Sequence, residues 1–156
     1  MHAPEQLAGR LRASGRKVTP QRQGIIRALE DDNRHPSAEM VFEAVRSHME
    51  TISLKTVYQT LNDLADLGEI QALDLGTGAL RFDPNVERPH HHLVCRGCGE
   101  VRDVFTDIAG LELPESAAHG YDVDSAEVIF RGTCDRCRTP VPTQQSQPTQ
   151  EDQWPI

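Results

Sequence analysis

Two cysteine pairs with the same internal spacing constrain this chain more than any other feature. Cys95 and Cys98 form the first pair, Cys134 and Cys137 form the second, and the chain has no other cysteine. A C-x-x-C turn presents two thiolates on one side, and two such turns complete the tetrahedral all-sulfur shell that zinc prefers. The spacing therefore predicts a structural Zn²⁺ site, and a closed four-thiolate site contributes directly to folding.

Two other interpretations of these cysteines are weaker. The pairs could be dithiol redox motifs, but such a motif usually opens a helix within a βαβ unit, and neither pair has that setting. They could also be buried free thiols. The first twenty residues lack the apolar core of a signal peptide, and no apolar run is long enough to span a membrane. We therefore expect a reducing, cytoplasmic location, where paired cysteines more often bind metal than each other.

Charge is distributed unevenly along the chain. The net charge of −8 argues against a protein that coats nucleic acid indiscriminately. Six basic residues nevertheless lie within residues 1–29, where Glu5 is the single acidic residue, and Arg16 and Arg22 among them are candidate DNA contacts. A basic N-terminal segment joined to an acidic C-terminal segment is typical of a protein that binds DNA through one segment only. A solvent-exposed helix surface without DNA binding would give the same pattern.

The N-terminal half has the pattern of a helical domain. Helices are predicted over residues 5–13, 20–31, 37–49 and 53–67. Thr19 followed by Pro20, and later Ser37 and Ser53, have the residue types that begin helices. The third helix is expected to bury a stripe formed by Met40, Val41, Ala44 and Val45.

Two short strands around Gly76-Thr77-Gly78 are predicted to form a hairpin after these helices. Helices followed by a two-stranded ribbon describe a winged helix, in which the last helix before the wing enters the major groove of DNA. The outer face of that helix would carry Lys55, Thr56, Tyr58, Gln59 and Asn62. Lys and Thr suit phosphates, Gln and Asn suit base edges, and a Tyr ring can touch a thymine methyl. A plain amphipathic surface helix is the alternative for this segment taken alone.

The pattern becomes β-rich after Asp83. Strands are predicted over His91–Val94, Glu100–Phe105 and Asp124–Thr133, with a short helix over residues 107–118. Residues 139–156 are rich in Pro, Gln and Thr and are expected to be disordered.

A second metal site is predicted from the alternation of side chains along a strand. His90 and His92 would point to one face and His91 to the other, and Asp103 on the next strand can return to the face of His90 and His92. Asp83 at the end of the wing and His35 before the third helix would complete the set. The five candidate ligands are therefore His35, Asp83, His90, His92 and Asp103. A histidine run that lies at the surface by accident is the alternative.

The chemistry of this second site differs from that of the cysteine site. Nitrogen and oxygen ligands without sulfur suit Fe(II) or Mn(II), which bind more weakly than zinc, so that occupancy can follow the supply of metal. A ligand set that spans both halves of the chain would also favour one arrangement of the halves. Only that arrangement would set two recognition helices at the major-groove spacing of roughly 34 Å.

These segments resemble the Fur family of metalloregulators, and the similarity runs from about Leu7 to Cys137. The segments that carry it are TPQR (19–22), HPSAE (35–39), TVYQTL (56–61), HHHLVCRGCG (90–99) and CDRC (134–137). The resemblance implies an α+β fold, with a winged-helix DNA-binding domain over residues 1–83 and an α/β dimerisation and metal-binding domain over residues 84–138. It also implies a homodimer that binds double-stranded operator DNA and represses transcription when it is loaded with metal.

Both acidic ligands of the second site are aspartates, which resembles the peroxide-sensing PerR branch, whereas iron sensors generally carry glutamates there. The resemblance implies that peroxide oxidises a ligating histidine, and His35 and His90 are the candidates by position. A plain iron or manganese uptake regulator is the alternative. A third metal site of iron sensors is not expected, because Gly110 and Ala126 replace its ligands. His91 and His119 are then left without a role.

An enzyme is the main competing class of protein. Zinc deaminases also combine histidine with C-x-x-C, but they need a glutamate beside the ligand histidine and an open zinc position, which four cysteines would close. The nucleophile elbow and the P-loop are both missing from the sequence. A zinc-ribbon interaction module would leave the basic N-terminal half unexplained. The sequence therefore predicts a regulator rather than an enzyme.

Overall fold

A computed structural model of the chain describes residues 1–30, 32, 34–108, 111, 113–123 and 126–138. The first four helices are α1 (Pro4–Ala13), α2 (Pro20–Glu30), α3 (Ala38–Arg46) and α4 (Leu54–Asp66). The strands are β1 (Gln71–Leu73), β2 (Arg81–Asp83), β3 (His91–Cys95), β4 (Val101–Val104) and β5 (Ile129–Gly132), and α5 (Glu115–Ala118) lies between β4 and β5. The predicted disordered tail, residues 139–156, lies outside the described residues.

The four N-terminal helices pack around one apolar core, because each has apolar residues at helical spacing. The buried members include Leu11 of α1, Ile25 of α2, Val41 of α3 and Leu61 of α4, and Phe82 of β2 closes the core from the wing. The antiparallel pair β1–β2 follows α4 directly. The winged-helix prediction is thus confirmed, as is the mixed α+β class.

The predicted N-caps explain where two of these helices begin. The Ser37 hydroxyl accepts a hydrogen bond from the Met40 N–H at 3.3 Å, and the Ser53 hydroxyl accepts one from the Thr56 N–H at 3.1 Å. Each cap satisfies an N–H group that the first turn of the helix leaves free. The two caps therefore fix the N-terminal ends of α3 and α4.

The buried stripe of α3 is narrower than predicted. Ala38, Val41 and Val45 are buried, whereas Met40 is 36% exposed and Ala44 is also exposed. Neighbouring positions on a helix lie about 100° apart, so Met40 and Ala44 turn away from the face that Val41 and Val45 share. The prediction was wrong for these two residues.

The C-terminal half contains a three-stranded sheet in the order β4-β3-β5. Strand β3 pairs antiparallel with β4 and parallel with β5. Its small core is formed by Val94 and Val101 of the sheet with Leu73 and Leu75 of the wing. The wing therefore packs against both halves of the chain.

The predicted helix over residues 107–118 was wrong at five described residues, which are Asp107, Ile108, Leu111, Leu113 and Pro114. Among the described residues of that segment, only Glu115–Ala118 are helical. Pro114 stands immediately before this turn with an extended backbone, and a proline also disfavours helical geometry in the residue before it.

Within the part of the chain that the structure describes, no helix is long and apolar enough to cross a membrane.

Candidate metal centres

The four cysteines come together at the ends of β3 and β5. Cys95 is the last residue of β3, and the parallel pairing places it beside Gly132, two residues before Cys134. The Arg96 N–H donates to the Gly132 carbonyl at 2.8 Å and continues this pairing into the turn. The two C-x-x-C turns, far apart in sequence, therefore face each other.

The geometry of the sulfur atoms fits zinc. All four lie within 4.8 Å of one another, and Sγ of Cys98 is 3.8 Å from Sγ of Cys134. A tetrahedron of 2.3 Å Zn–S bonds has edges of about 3.8 Å. Backbone N–H groups of Cys134, Cys98 and Gly97 lower the pKa of Cys95 to about 6, because they stabilise its thiolate. The four residues therefore present the shape of a structural zinc site, and Cys95 is predisposed to bind as a thiolate.

The second predicted cluster is also assembled, and it is buried. Ligand atoms of His35, Asp83, His90 and His92 lie within 4.8 Å of one another. Nε2 of His90 is 3.1 Å from Nε2 of His92 and 2.9 Å from Oδ2 of Asp83. His35, Asp83 and His92 are each no more than 2% exposed. A surface accident would not bury these side chains together.

Asp103, the fifth predicted ligand, adjoins this group. It is the cross-strand partner of His92, so the two side chains share one face of the sheet. Oδ1 of Asp103 is 2.9 Å from Nε2 of His35 and 3.7 Å from Nε2 of His90. The structure therefore brings together all five residues that the sequence pattern selected, while His91 lies on the opposite face.

Several atoms of this cluster are close together without being hydrogen bonded. Within the described residues, Nε2 of His35, Oδ2 of Asp83 and Oδ1 of Asp103 are buried and have no hydrogen-bond partner, since the short contacts between them lack suitable angles. Buried polar atoms are normally satisfied. Atoms that converge on one point without bonding to each other fit a shared cation, and three imidazoles with two carboxylates fit Fe(II) or Mn(II).

The pKa values in the cluster follow from its contacts. Burial alone would raise the pKa of Asp83, but the neighbouring rings of His35 and His92 and the hydrogen bond from the Asn85 N–H outweigh burial and lower it. Burial opposes protonation of His92, yet the nearby carboxylate of Asp83 and the contact with Glu127 raise its pKa. Asp83 is thus held as a carboxylate, which is the form that binds a metal ion.

Two supporting residues were missed in the sequence. The Asn85 N–H donates to Oδ1 of Asp83 at 2.7 Å, and the Asn85 side-chain amide donates to Oδ2 of Asp103 at 3.0 Å. The Asp-Pro-Asn sequence is typical of a turn in which Asp accepts from the N–H two residues on, so this contact could have been predicted. Oε1 of Glu127 lies 2.6 Å from Nδ1 of His92, and no local pattern indicates that contact.

The predicted recognition helix presents most of its expected face to solvent. The exposed residues of that set are Lys55, Tyr58, Gln59 and Asn62, whereas Thr56 is half-buried. The Tyr58 hydroxyl donates to Oε1 of Glu39 at 2.6 Å. Glu39 therefore fixes the position of the Tyr58 ring on the outer surface of α4.

Both candidate arginines lie beside α4 in ion pairs. Nε of Arg16 is 2.8 Å from Asp63, and Nη2 of Arg16 is 3.1 Å from Asp66. Nη2 of Arg22 is 2.6 Å from Asp63. The structure therefore places both guanidinium groups near the outer face of α4 but pairs them with its aspartates.

Comparison with known proteins gives consistent matches. A model of the ferric uptake regulator family matches residues 13–131. The peroxide-responsive repressor PerR of Staphylococcus aureus (strain USA300) is 30% identical over 138 residues, which cover 88% of this chain and 93% of that protein.

Solved structures give the same picture. The ferric uptake regulator of Vibrio cholerae matches with a TM-score of 0.68 and 30% identity, covering 81% of this chain and 98% of that one. A zinc-bound manganese uptake regulator matches with a TM-score of 0.65 and 28% identity, covering 85% of this chain and 99% of that one.

Proposed function

Because the chain belongs to the ferric uptake regulator family, we propose that it is a metal-dependent, sequence-specific repressor of transcription. The buried histidine and aspartate cluster carries this proposal. His35 and Asp83 come from the winged helix, whereas His92 and Asp103 come from the sheet that follows it and His90 immediately precedes strand β3 of that sheet. An ion bound by both groups stabilises one arrangement of the two halves and therefore one spacing of the DNA-binding surfaces.

The two metal sites have different tasks. The four-cysteine site holds structural Zn²⁺, since four thiolates leave no open coordination position. The histidine and aspartate site holds Fe(II) or Mn(II) as the regulatory ion, because its donors are nitrogen and oxygen only. Relatives support both assignments, since they include a zinc-bound manganese regulator and ferric uptake regulators.

The two halves also have different tasks. Members of the family are dimeric DNA-binding regulators. Residues 1–83 serve as the DNA-binding domain and residues 84–138 as the dimerisation domain of a homodimer. Leu93 and Phe130 support this assignment, because they are neighbours in register on adjacent strands and are 40% and 39% exposed. A second copy of the chain would cover such an apolar sheet face.

DNA recognition is assigned to α4. Its exposed side chains Lys55, Tyr58, Gln59 and Asn62, with Thr56 at its beginning, have the chemistry for phosphates and base edges. Arg16 and Arg22 lie beside the same helix in ion pairs with Asp63, and we assign them to phosphate contacts on the chemistry of their guanidinium groups. The family relation makes a regulator, rather than an enzyme, the proposed class.

Metal dependence is tested with an operator selected from random duplex DNA by the Mn(II)-loaded protein. Mn(II) should raise the affinity for this duplex, measured by fluorescence anisotropy at fixed salt, at least tenfold. His92→Ala should abolish that increase while zinc content stays the same. His91→Ala, on the opposite face of the same strand, is the matched control and should keep the increase. Equal affinity with and without Mn(II) in the unaltered protein would refute the proposal.

The signal we propose is peroxide. Both carboxylates of the cluster are aspartates, as in the PerR branch that the sequence resembles, and PerR of S. aureus is similar along 88% of the chain. Ferrous iron held by these residues would activate peroxide and end in its ferrous state, because the electrons that reduce peroxide come in the end from the oxidised ring. The ring of His35 or of His90 would lose two electrons and gain one oxygen atom of peroxide, and the other oxygen atom would leave as water. An oxidised ring is a poorer ligand, so the two halves lose their shared ion and the DNA is released.

Mass spectrometry separates this proposal from a plain iron or manganese regulator. Peroxide should add one oxygen atom to a peptide with His35 or His90 in the iron-loaded protein and release it from the operator. The Mn(II)-loaded protein is the control and should stay bound and unmodified. If the iron-loaded protein also stays bound and unmodified, the chain regulates metal uptake instead.

A further inference from the structure

We propose that Glu127 positions His92 for metal binding and raises the affinity of the regulatory site for its ion. Oε1 of Glu127 lies 2.6 Å from Nδ1 of His92. This proposal rests on the proposed function, since it concerns the ion held by His92 and its neighbours. Glu127 itself points at the outer nitrogen of the ring and is therefore a positioning residue rather than a ligand.

The two nitrogens of His92 face different surroundings. Nε2 lies 3.1 Å from Nε2 of His90 and 3.6 Å from Oδ2 of Asp83, inside the cluster. Nδ1 lies on the other side of the ring, against Glu127. A carboxylate can only accept, so Nδ1 must carry the hydrogen of this bond. The lone pair of Nε2 in the neutral ring is then directed at the other ligands.

The three histidines of the cluster differ in how their outer nitrogens are held. Nδ1 of His90 lies 2.9 Å from the carbonyl of Arg88, a neutral acceptor. Nδ1 of His35 is buried and has no hydrogen-bond partner within the described residues. Among the residues that the structure describes, His92 alone of the three has a charged acceptor at its outer nitrogen. A carboxylate behind an imidazole makes the ring a stronger donor to a metal ion. Glu127 therefore makes His92 the strongest nitrogen ligand of the three.

The fold explains how Glu127 reaches a residue so distant in sequence. Strand β5 runs parallel to β3, and His92 pairs with Ile129. The His92 N–H donates to the carbonyl of Val128 at 3.1 Å, which extends the pairing towards Glu127. Glu127 is two residues before Ile129, and positions two apart in an extended chain share a face. The side chain of Glu127 is 39% exposed, so keeping its charge costs little desolvation.

The same strand connects the two metal sites. Glu127 precedes β5, and Cys134 follows it in the four-cysteine site. The zinc site holds one end of β5, and this fixes the other end at the distance that Glu127 needs to reach His92. If this end of β5 were free to move, the Glu127 side chain would have to become ordered each time the metal ion binds. That ordering would lower the affinity for the ion.

The experiment compares Glu127→Ala and Glu127→Gln with Glu115→Ala, a change at an exposed glutamate of α5. Mn(II) affinity of the zinc-loaded proteins is measured by calorimetric titration. Glu127→Ala should weaken Mn(II) binding about 10- to 100-fold, as is usual when a partner of a ligating histidine is lost. Glu127→Gln should fall in between, because it keeps a hydrogen bond but not the charge. Glu115→Ala should leave the affinity unchanged.

A second measurement needs no Mn(II). Nitrogen chemical shifts of the His92 ring, assigned with His92→Ala and recorded at alkaline pH, report which nitrogen carries the hydrogen. The unaltered protein should carry it on Nδ1, whereas Glu127→Ala should show a mixture of both forms. Unchanged affinity or an unchanged ring in Glu127→Ala would overturn the role of Glu127. Failure of the unaltered protein to bind Mn(II) would instead overturn the proposed function, while the ring shifts still decide the contact.

Discussion

His35 shows how much the second metal site depends on single residues. Its backbone is left-handed, with φ of 53°, a conformation that costs a residue other than glycine of order 1–2 kcal/mol. Its carbonyl accepts from Arg81 at 3.4 Å, and its ring is buried beside Asp83 and Asp103. The turn before α3 therefore directs the ring of His35 inward, and the contacts around the ring compensate for the strained backbone.

Gly97 occupies a comparable position at the zinc site. A Cβ at Gly97 would lie 2.7 Å from Cβ and 2.9 Å from Sγ of Cys137, closer than side chains can approach. Gly97→Ala should therefore push Cys137 out of the shell, destabilise the protein by about 1–3 kcal/mol and speed the loss of zinc to a chelator. Urea denaturation and zinc release measure these two effects.

Gly132→Ala is the matched control for this prediction. Gly132 lies two residues before Cys134, and a Cβ there would meet no atom within 4 Å. Zinc release from Gly132→Ala should match that of the unaltered protein. Equal zinc retention in Gly97→Ala would contradict the packing argument at Cys137.

At the scale of elements, local chemistry predicted where two of the helices begin. Ser37 and Ser53 marked the beginnings of α3 and α4 because an N-cap bond joins residues only three apart. The described residues before Pro114 were predicted incorrectly as helical, because their apolar spacing resembles a helix and the effect of the proline on the residue before it was not weighed.

The metal cluster shows the same limit. Strand alternation identified His90 and His92, since it acts between positions two apart. Glu127 could not be identified in this way, because its contact with His92 depends on the parallel pairing of β3 with β5. That pairing joins segments more than thirty residues apart, and only the assembled sheet reveals it.

A buried carboxylate, that of Glu69, is one of the groups that attach α1 to the other helices. Glu69 is 1% exposed and forms an ion pair with Arg10 of α1, and it also accepts from Nδ1 of His2 at 2.8 Å. Glu69→Gln should lower the free energy of unfolding at pH 7 by about 1–3 kcal/mol, because a buried charged pairing is lost. Glu43→Gln, at an exposed pair with Arg46, should change it by less than about 0.5 kcal/mol.

The pH dependence of this effect has a definite sign. Burial would raise the pKa of Glu69, but hydrogen bonds from His2 and the charge of Arg10 outweigh it and lower the pKa. A lowered pKa in the folded state stabilises the protein above the unfolded pKa of about 4.3, and this stabilisation is lost as pH falls through the folded value. The difference between the unaltered protein and Glu69→Gln should therefore shrink below pH 4 in urea titrations. A difference that grows on acidification would contradict this assignment.

At the scale of the whole molecule, two arginines join the halves that share the regulatory ion. Nη2 of Arg81 donates to the carbonyl of Gly99 at 2.8 Å, and its Nε donates to the hydroxyl of Thr77 at 3.0 Å. Nη1 of Arg131 donates to the carbonyl of Leu75 at 2.6 Å. These hydrogen bonds join the wing to the turn of the first cysteine pair and to β5. Arg81 therefore lies between the two metal sites, because it contacts Gly99 beside the cysteines and the carbonyl of His35.

Replacing Arg81 should show how much these contacts between the two halves contribute to Mn(II) binding. Since it also contacts the carbonyl of His35, Arg81→Ala should loosen His35 and Asp83 relative to His90 and His92. The loss of these bonds, about 1–2 kcal/mol, predicts Mn(II) binding weakened roughly tenfold. Mn(II) at 100 times its Kd stabilises a protein by about 2.7 kcal/mol, so the Mn(II)-induced rise in melting temperature should fall to about half in Arg81→Ala at the same concentration. Arg46→Ala, on the exposed face of α3, should keep the full rise. A full rise in Arg81→Ala would mean that the two halves are held in place by the ligands alone.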